Sequence, residues 1–282
     1  MKFSIVIPTY NNKDYLKLCL ESIRKNSKYK HEIIVFINEG SDGTLDFIKK
    51  KNIKFIHSNQ NIGLCKAVNK ASKLTTNKYM VYAHDDMYFC PGWDEVFSDE
   101  IKKIKDKNFF LSGTMIQPFT SFINLNCGSD INDFNEKKLL HEYKNIKYND
   151  FQGSTWAPSL VPISTWRKVS GFSEEYSFGL GSDPDLSMKL WNIGVRIHKG
   201  LGKCRVYHFG SISLRKKVWN DGHKIFLMKW GFTIKFFKKY YLKSDQIFTG
   251  PLKNPKKDFL YFLSYFVCKI KYYYLKIKSF KY

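Results

Sequence analysis

The sequence has few acidic residues for its length, no closely spaced cysteines and no long uncharged run. Asp and Glu account for 25 of the 282 residues and Lys and Arg for 47. The six cysteines contain no CxxC pair, which excludes a zinc ribbon or a small disulfide scaffold and is typical of reduced thiols in a cytosolic protein. No window reaches the roughly 18 uncharged residues of a membrane span. The first apolar run is broken at Pro8, so we expect no signal peptide.

The basic residues give a formal net charge of +22. An excess of this size favours a polyanionic partner, such as nucleic acid, anionic lipid or a phosphorylated substrate. An A- and T-rich genome would also raise the Lys count, together with Asn, Ile, Phe and Tyr, and the sequence shows that bias. Such a bias explains the number of lysines but not where they cluster.

Short apolar runs alternate with helical patterns over the first hundred residues. We predict strands at residues 3–7, 32–37, 53–57 and 79–83, and helices at residues 14–24, 45–50, 63–74 and 93–105. This alternation predicts an α/β fold with a mostly parallel central sheet flanked by helices. Polar segments follow the four strands, namely PTYNN, NEGSDGT, HSNQNIG and HDD. Since ligands bind at the carboxyl ends of such strands, we expect these segments to converge on one edge.

The pattern changes after the fourth helix. Residues 112–181 are rich in Asn, Ser, Gly and aromatic residues, and we predict an irregular region that shapes the substrate site. A helix is expected at residues 185–191 and a short strand at residues 204–209. From residue 216 onward the chain is predicted to be helical, basic and aromatic.

Two adjacent acids, Asp85 and Asp86, follow the fourth strand directly. Neighbouring carboxylates repel each other, and a divalent cation removes that cost. Asp oxygens suit Mg²⁺ or Mn²⁺, and such ions complete their shells with substrate phosphates. The alternative is that both acids decorate the start of the following helix, where negative charge is favoured.

A second acidic cluster and a histidine lie further along the chain. Asp183 and Asp185 stand at a predicted helix start, so that Asp183 is either the N-cap, with Pro184 at the first helical position, or a general base facing a cleft. The two roles are compatible. His208 ends a short strand, where a histidine is either structural or a metal ligand beside acids.

Six motifs in this order resemble the family-2 glycosyltransferases of the GT-A fold, over roughly residues 1–215. They are SIVIPTYNN, EIIVFINEGSDGT, NIGLCKAVNKA, YAHDDM, GFSEEYSFGLGSDPDL and VYHFGS. The resemblance is to bacterial enzymes that build surface polysaccharide. It implies a Rossmann-like GT-A domain and inverting transfer of a sugar from a nucleotide-diphosphate sugar, with Mn²⁺ or Mg²⁺ as cofactor.

The resemblance also implies roles for individual residues. Asp183 matches the catalytic base, Asp86 the metal-binding acid, and His208 a histidine that joins the metal shell in some relatives. The donor-binding positions are Pro8, Thr9, Tyr10, Asn38, Glu39, Lys66 and Asp85. Trp156 and Asp185 fall where the acceptor is expected.

This chain departs from the family pattern at three places. Asn38 replaces the usual Asp in a loop that is one residue shorter, so that Glu39 is the alternative contact to a uracil or thymine base. Val68 replaces an Arg, and Lys66 is expected to supply that charge. His84 stands where a third acid is common, and the sequence assigns it no role.

We expect three parts: a nucleotide-sugar-binding half at 1–110, an acceptor-binding and catalytic half of the same domain at 111–215, and a helical extension at 216–282. The last part combines lysines with aromatics, which favours an interfacial helix on an anionic membrane. Packing of this helix on the body is the alternative, and no motif supports nucleic-acid binding.

The sequence therefore predicts a metal-dependent glycosyltransferase, cytoplasmic and peripheral on the inner face of the cell membrane. It would take a UDP- or dTDP-type sugar and a saccharide or lipid-linked acceptor. The rivals are a nucleotidyltransferase on a similar fold, for which IPTYNN lacks the Gly-rich phosphate loop, and a catalytically retired glycan- or membrane-binding protein.

Overall fold

The structure, a computed structural model, describes residues 1–119, 123–210 and 221–279. Within these ranges one sheet contains the strands β1 (Ser4–Tyr10), β2 (Glu32–Asn38), β3 (Lys54–Ser58), β4 (Tyr79–Tyr82), β5 (Met87–Phe89), β6 (Phe110–Gln117), β7 (Ile123–Asn124), β8 (Phe151–Gln152), β9 (Ser159–Pro162) and β10 (His198–His208). The α-helices are α1 (Lys13–Asn26), α2 (Thr44–Lys50), α3 (Leu64–Ser72), α4 (Trp93–Lys103), α5 (Glu136–Glu142), α6 (Ile163–Lys168), α7 (Ser182–Asn192), α8 (Gly222–Trp230), α9 (Ile234–Phe237) and α10 (Phe259–Ser279).

The strand order is β3-β2-β1-β4-β9-β6-β10-β5, with β7 beside β6 and β8 beside β10. The first four strands pair in parallel. β9 runs antiparallel to both β4 and β6, and β10 is parallel to β6 but antiparallel to β5. The predicted α/β sheet flanked by helices is thus confirmed, and its second half is mixed rather than parallel.

β1 continues through Pro8, beyond the end predicted at residue 7. Val6 faces β4, since its carbonyl accepts a hydrogen bond from the amide of Ala83 at 3.1 Å. Pro8 faces the same side two residues later, where the pairing with β4 has ended. Its missing N–H therefore breaks no ladder bond, and the strand carries Thr9 to the edge of the sheet.

The prediction of an irregular region at residues 112–181 is wrong for two central strands. β6 and β9 lie between other strands and are mostly buried. Ser112 and Thr114 of β6 are completely buried, and the Thr114 hydroxyl donates to the carbonyl of Leu201 at 2.8 Å. These satisfied polar residues interrupt the apolar run by which a central strand is usually identified.

The C-terminal region is helical in two separate parts. α8, α9 and a π-helical turn at Lys238–Leu242 precede a non-helical stretch, 243–258, that leads to α10. The prediction that the chain is helical from residue 216 onward is wrong for this stretch, because Lys243 adopts a positive φ of 50° and Pro251 and Pro255 disfavour helix. Residues 216–220 of that prediction lie outside the described residues.

α10 packs on the body through one side only. Tyr261 and Cys268 are buried, and Tyr261 contacts the ring of Phe236 in α9 with centroids 5.0 Å apart. The opposite side exposes large apolar residues, namely Phe259, Leu260, Phe262, Leu263, Phe266, Val267, Ile270, Tyr273, Tyr274 and Ile277.

Candidate active site

A cavity of about 300 Å³ opens at the carboxyl ends of β1, β2 and β4. It is lined by Pro8, Thr9, Tyr10, Asn38, Asn61, Gly63, Leu64, Tyr82, His84, Asp85, Asp86, Phe178, Gly179, Leu180, Gly181, Ser182 and Asp183. The polar segments after all four predicted strands contribute to this lining, as the strand-end rule predicts. The far wall is the glycine-rich segment before α7.

Three side chains at the cavity's inner end form a compact group of donors. β5 pairs with β10 so that Met87 lies opposite His208, which places the preceding residue, Asp86, beside that histidine. The Asp86 Oδ1 lies 3.2 Å from His208 Nε2 and 4.0 Å from His84 Nδ1. One ligand atom from each residue falls within 4.8 Å of the others. His84, to which the sequence assigned no role, thus completes a set of two imidazoles and one carboxylate.

This donor set fits a divalent cation. Burial lowers the pKa of His84 to about 4, against a smaller opposing effect of Asp86, so its imidazole is neutral at physiological pH. Neutral imidazole and carboxylate are ligands of first-row divalent ions. His208 also contacts Gln117, whose Nε2 lies 2.6 Å from the histidine Nδ1.

Asp85 is buried beside this group and has a different partner. The Thr9 hydroxyl donates to Asp85 Oδ2 at 2.6 Å, which joins the ends of β1 and β4. Burial, together with the neighbouring charge of Asp86, raises the pKa of Asp85 to about 7. The raised pKa of Asp85 agrees with the repulsion between the two adjacent carboxylates that the sequence indicates.

Asp183 lies on the opposite wall, in the first turn of α7. The helix begins at Ser182 after Gly181, whose φ is 87°, so the prediction that Asp183 is the N-cap is wrong. Its carboxylate is left to face the cavity. Burial raises the pKa of Asp183 to about 7, and the charge of Lys238 opposes that rise.

Two of the predicted donor-binding residues lie off the cavity wall. The Glu39 carboxylate accepts from the Asn11 side chain at 3.1 Å, and Lys66 is exposed on α3. Asn38 does line the cavity, and its Oδ1 accepts from the amide of Ile62 at 2.9 Å.

The predicted acceptor residues also lie outside the cavity lining. Asp185 is completely buried and accepts from Trp230 Nε1 at 2.8 Å, with Lys229 Nζ at 3.0 Å. This carboxylate anchors α7 to α8 and faces no cavity. Trp156 is half-buried, and the Lys238 ammonium stands 5.7 Å from its ring centre.

The wall formed by residues 178–182 falls almost entirely in the region predicted to shape the substrate site, but none of these residues was named individually as a site residue. Gly63, at the opposite rim, shows how closely the two sides approach: with φ at 84°, a Cβ there would lie 2.3 Å from the Ser177 carbonyl oxygen. The two glycines of SFGLGSD, Gly179 and Gly181, were the available signal, because their φ angles of 97° and 87° are ones that other residues rarely adopt.

Comparison with known proteins shows related sequences and folds. TuaG of Bacillus subtilis, described as a teichuronic acid biosynthesis glycosyltransferase, is 22% identical over 261 residues, covering 90% of this chain and 96% of TuaG. Hyaluronan synthase of Pasteurella multocida is 26% identical over 228 residues, 76% of this chain but 21% of that protein. The chain thus spans about a fifth of that relative's length.

Solved structures share the fold. TarS residues 1–349 of S. aureus superpose with a TM-score of 0.56 at 18% identity, covering 74% of this chain and 60% of the other. GalNAc-T7, solved with UDP, GalNAc and Mn²⁺, has the same score at 17% identity over 74% of this chain and 44% of its own. The predicted GT-A fold is confirmed by these similarities.

The family model for glycosyl transferase family 2 matches residues 4–156, more than half of the chain. The match covers Thr9 of β1, Asn38 of β2 and Asp86, which lies between β4 and β5. The chain therefore belongs to glycosyl transferase family 2.

Proposed function

We propose that the chain is an inverting glycosyltransferase that moves a sugar from a UDP- or dTDP-type donor to a saccharide or lipid-linked saccharide in surface glycan synthesis. One observation carries the proposal: Asp183 of α7 lines the same cavity as His84 and Asp86, which form a donor group with His208. The names of TuaG and hyaluronan synthase support the polymer class. TarS structures with UDP and with UDP-GlcNAc support the donor class.

The donor's nucleoside is assigned to the wall formed by the ends of β1 and β2. Pro8, Thr9 and Tyr10 supply one side of it, and Asn38 supplies an amide that can pair with a base edge. Asp85, held by Thr9, is assigned to the ribose. Glu39 and Lys66 are assigned no direct contact, since neither lines the cavity.

His84, Asp86 and His208 would hold a divalent ion. When bound, the ion would neutralise the diphosphate leaving group. Two imidazole ligands favour Mn²⁺ over Mg²⁺, because Mg²⁺ selects oxygen ligands. Both ions were expected from sequence, and the second imidazole, His84, is the reason to prefer manganese.

Asp183 is assigned the role of general base. Its carboxylate takes the proton of the acceptor hydroxyl as that oxygen attacks the anomeric carbon, and the bond to the diphosphate breaks on the opposite face. One displacement inverts the carbon. The wall at residues 178–182 shields the donor from water, which would otherwise consume it.

The acceptor is assigned to the side of Asp183 toward Lys238, with Trp156 beside that lysine. Lys238 lies close enough to affect the pKa of Asp183 and stands over Trp156. Asp185 is assigned a supporting role, because its oxygens are already occupied by Lys229 and Trp230.

None of the helices in the described part of the chain has the length and apolarity needed to cross a bilayer. We propose that α10 binds the anionic inner face of the membrane, where a lipid-linked acceptor would be found. Its outer side exposes Phe262 and Phe266 by 55% and 62%, and Lys271 and Lys278 are exposed on the same helix. Aromatics and lysines together suit an anionic interface.

The enzymatic proposal is tested by incubating the full chain with Mn²⁺ and a panel of nucleotide sugars, and by measuring nucleotide release. We expect Mn²⁺-dependent nucleotide release from a UDP- or dTDP-sugar. The Asp86→Ala variant should lose this Mn²⁺-dependent release. No release from any donor, combined with pyrophosphate formation from a nucleoside triphosphate and a sugar phosphate, would establish the nucleotidyltransferase instead.

The membrane proposal is tested by sedimentation with vesicles of phosphatidylglycerol and phosphatidylcholine. The double variant Phe262→Ser, Phe266→Ser should lose vesicle binding without loss of stability, because both rings are exposed. Phe119→Ser is the control, since Phe119 is 61% exposed but follows β6 and is not part of α10. Equal vesicle binding by the double variant and the wild type would contradict the proposal.

A further inference from the structure

Two asparagines line the cavity near the ends of β2 and β3, and a backbone amide holds each of them. Asn38 is the last residue of β2, and its Oδ1 accepts a hydrogen bond from the amide of Ile62 at 2.9 Å. Asn61 Oδ1 accepts from the amide of Gly63, also at 2.9 Å. Because these two amides are consecutive in the chain, they place the two side chains next to each other.

These contacts fix the orientation of both side-chain amides. A backbone N–H only donates, so the atom that faces it is the carbonyl oxygen of the asparagine, and the amino group extends away from it. Neither Asn38 Nδ2 nor Asn61 Nδ2 forms a hydrogen bond with another residue in the described part of the chain. Both amino groups are therefore left to a ligand, and an NH₂ group offers a ligand only donors.

Both acids of the segment that follows β2 are engaged outside the cavity. Glu39 accepts from Asn11 Nδ2 at 3.1 Å and lies off the cavity wall. Asp42 accepts from the amide of Lys13 at 2.8 Å and from the Thr44 hydroxyl at 2.6 Å. The side chains of this segment therefore bring an amide donor to the cavity, and neither carboxylate is placed there as an acceptor.

Donors and acceptors at this place distinguish pyrimidine bases differently. Uracil and thymine carry N3–H between two carbonyl oxygens, whereas cytosine has an unprotonated N3 beside its carbonyl oxygen O2. An acceptor selects uracil through N3–H, but a donor finds a partner on either base. We propose that Asn38 and Asn61 form a base subsite that binds cytosine as well as uracil and thymine, so that the chain takes CDP-type as well as UDP-type ligands. This inference rests on the nucleotide site of the proposed function and names the bases that the site takes.

The test is a calorimetric titration of the full chain with UDP and with CDP at one Mn²⁺ concentration. The wild type is expected to bind both with Kd values within about tenfold of each other, because each base offers an acceptor to Asn38. In Asn38→Asp, one carboxylate oxygen keeps the Ile62 amide, and the other accepts from uracil N3–H but repels the lone pair of cytosine N3. The ratio of the CDP Kd to the UDP Kd should then rise about 10- to 100-fold over that of the wild type.

The ratio of the two Kd values separates base recognition from other effects of the added charge. Repulsion between the new carboxylate and the diphosphate weakens both ligands alike, so it cancels in the ratio. Asn126→Asp is the matched control, because Asn126 Oδ1 also accepts from a backbone amide, that of Gly128 at 2.9 Å, but Asn126 does not line the cavity. This control should keep the wild-type ratio.

The wild type alone already tests the inference, even if the buried carboxylate of Asn38→Asp prevents folding. A preference of the wild type for UDP over CDP greater than about tenfold would overturn the inference. A wild-type ratio in a folded Asn38→Asp variant would also overturn it. Either result leaves the nucleotide-sugar donor of the proposed function intact, whereas a wild-type chain that binds none of UDP, dTDP and CDP would overturn both.

Discussion

Replacement of Asp183 by asparagine is expected to stop sugar transfer and yet stabilise the folded chain at pH 8. Burial raises the pKa of Asp183 from 3.8 to about 7. Between these values the carboxyl group is ionised in the unfolded chain and protonated in the folded one. The unfolded state then binds fewer protons, so the free energy of unfolding falls as the pH rises from about 4 to about 7.

The size of this effect follows from the two pKa values. Their difference, about 3 units, corresponds to an upper limit of roughly 4 kcal/mol at 1.36 kcal/mol per unit, reduced by solvent in the cavity. The asparagine side chain of the variant carries no charge and avoids this cost. In urea unfolding, the free energy of unfolding of the Asp183→Asn variant should therefore exceed that of the wild type at pH 8. The difference should be much smaller at pH 4.

The same ionisation should control catalysis in the opposite direction. With a pKa of about 7, the base is roughly 9% ionised at pH 6 and 91% at pH 8, so kcat/KM should rise about tenfold over that interval. An unshifted carboxylate would give a flat profile. Nucleotide release at saturating Mn²⁺ measures this rise.

Asp185→Asn is the matched control, two residues along the same helix. That carboxylate is paired with Lys229, so its loss should lower stability at both pH values. A flat wild-type profile between pH 6 and pH 8, or a wild-type rate in Asp183→Asn, would refute the assignment of the base.

Two further predictions concern the neighbours of this base. Lys238→Met removes the charge that lowers the pKa of Asp183, so the rising limb of the pH–rate profile should move to higher pH. A limb at the same pH as in the wild type would show that Lys238 does not act on the base. Gly63→Ala should raise the KM for the donor and destabilise the chain by more than Gly92→Ala. Gly92 lies in the left-handed region, with φ 83° and ψ 1°, where a side chain costs about 1–2 kcal/mol, and a Cβ there meets nothing within 4 Å. Gly63, with φ 84° and ψ 162°, lies in a region essentially restricted to glycine, and a Cβ there also meets the Ser177 carbonyl. Equal unfolding midpoints for the two variants would contradict the clash.

The first half of the fold could be predicted because its strands have a clear pattern in the sequence. β1, β2 and β4 are buried on both faces, so they appear in the sequence as short, nearly continuous apolar runs separated by helical patterns. The strand-end rule then brought Thr9, Asn38 and Asp86 to one edge without further information. Their roles in catalysis stay predictions.

The second half was harder because its contacts depend on topology rather than on local pattern. β9 enters the sheet antiparallel, and β6 contains buried Ser112 and Thr114, so neither has the usual signal. The pairing of β5 with β10 places His208 beside Asp86, which also lies near His84. No local spacing in the sequence reveals this group. The prediction that Asp183 caps the helix failed because the helix begins two residues earlier than the Asp–Pro pair suggested, with Gly181 in the N-cap position.

The position of β10 between β6 and β5 would also make the proposed metal site a sensor of sheet completion. Asp86 and His208 are 122 residues apart in the chain (208 − 86), and they meet only when the last strand has been inserted into the sheet. A chain that stops short of that step lacks the site, so the ion would bind only the completed sheet. At one hundred times its Kd, such a ligand stabilises the folded state by about 2.7 kcal/mol. The supply of the metal ion would then govern how much intact protein accumulates, as well as how fast that protein works.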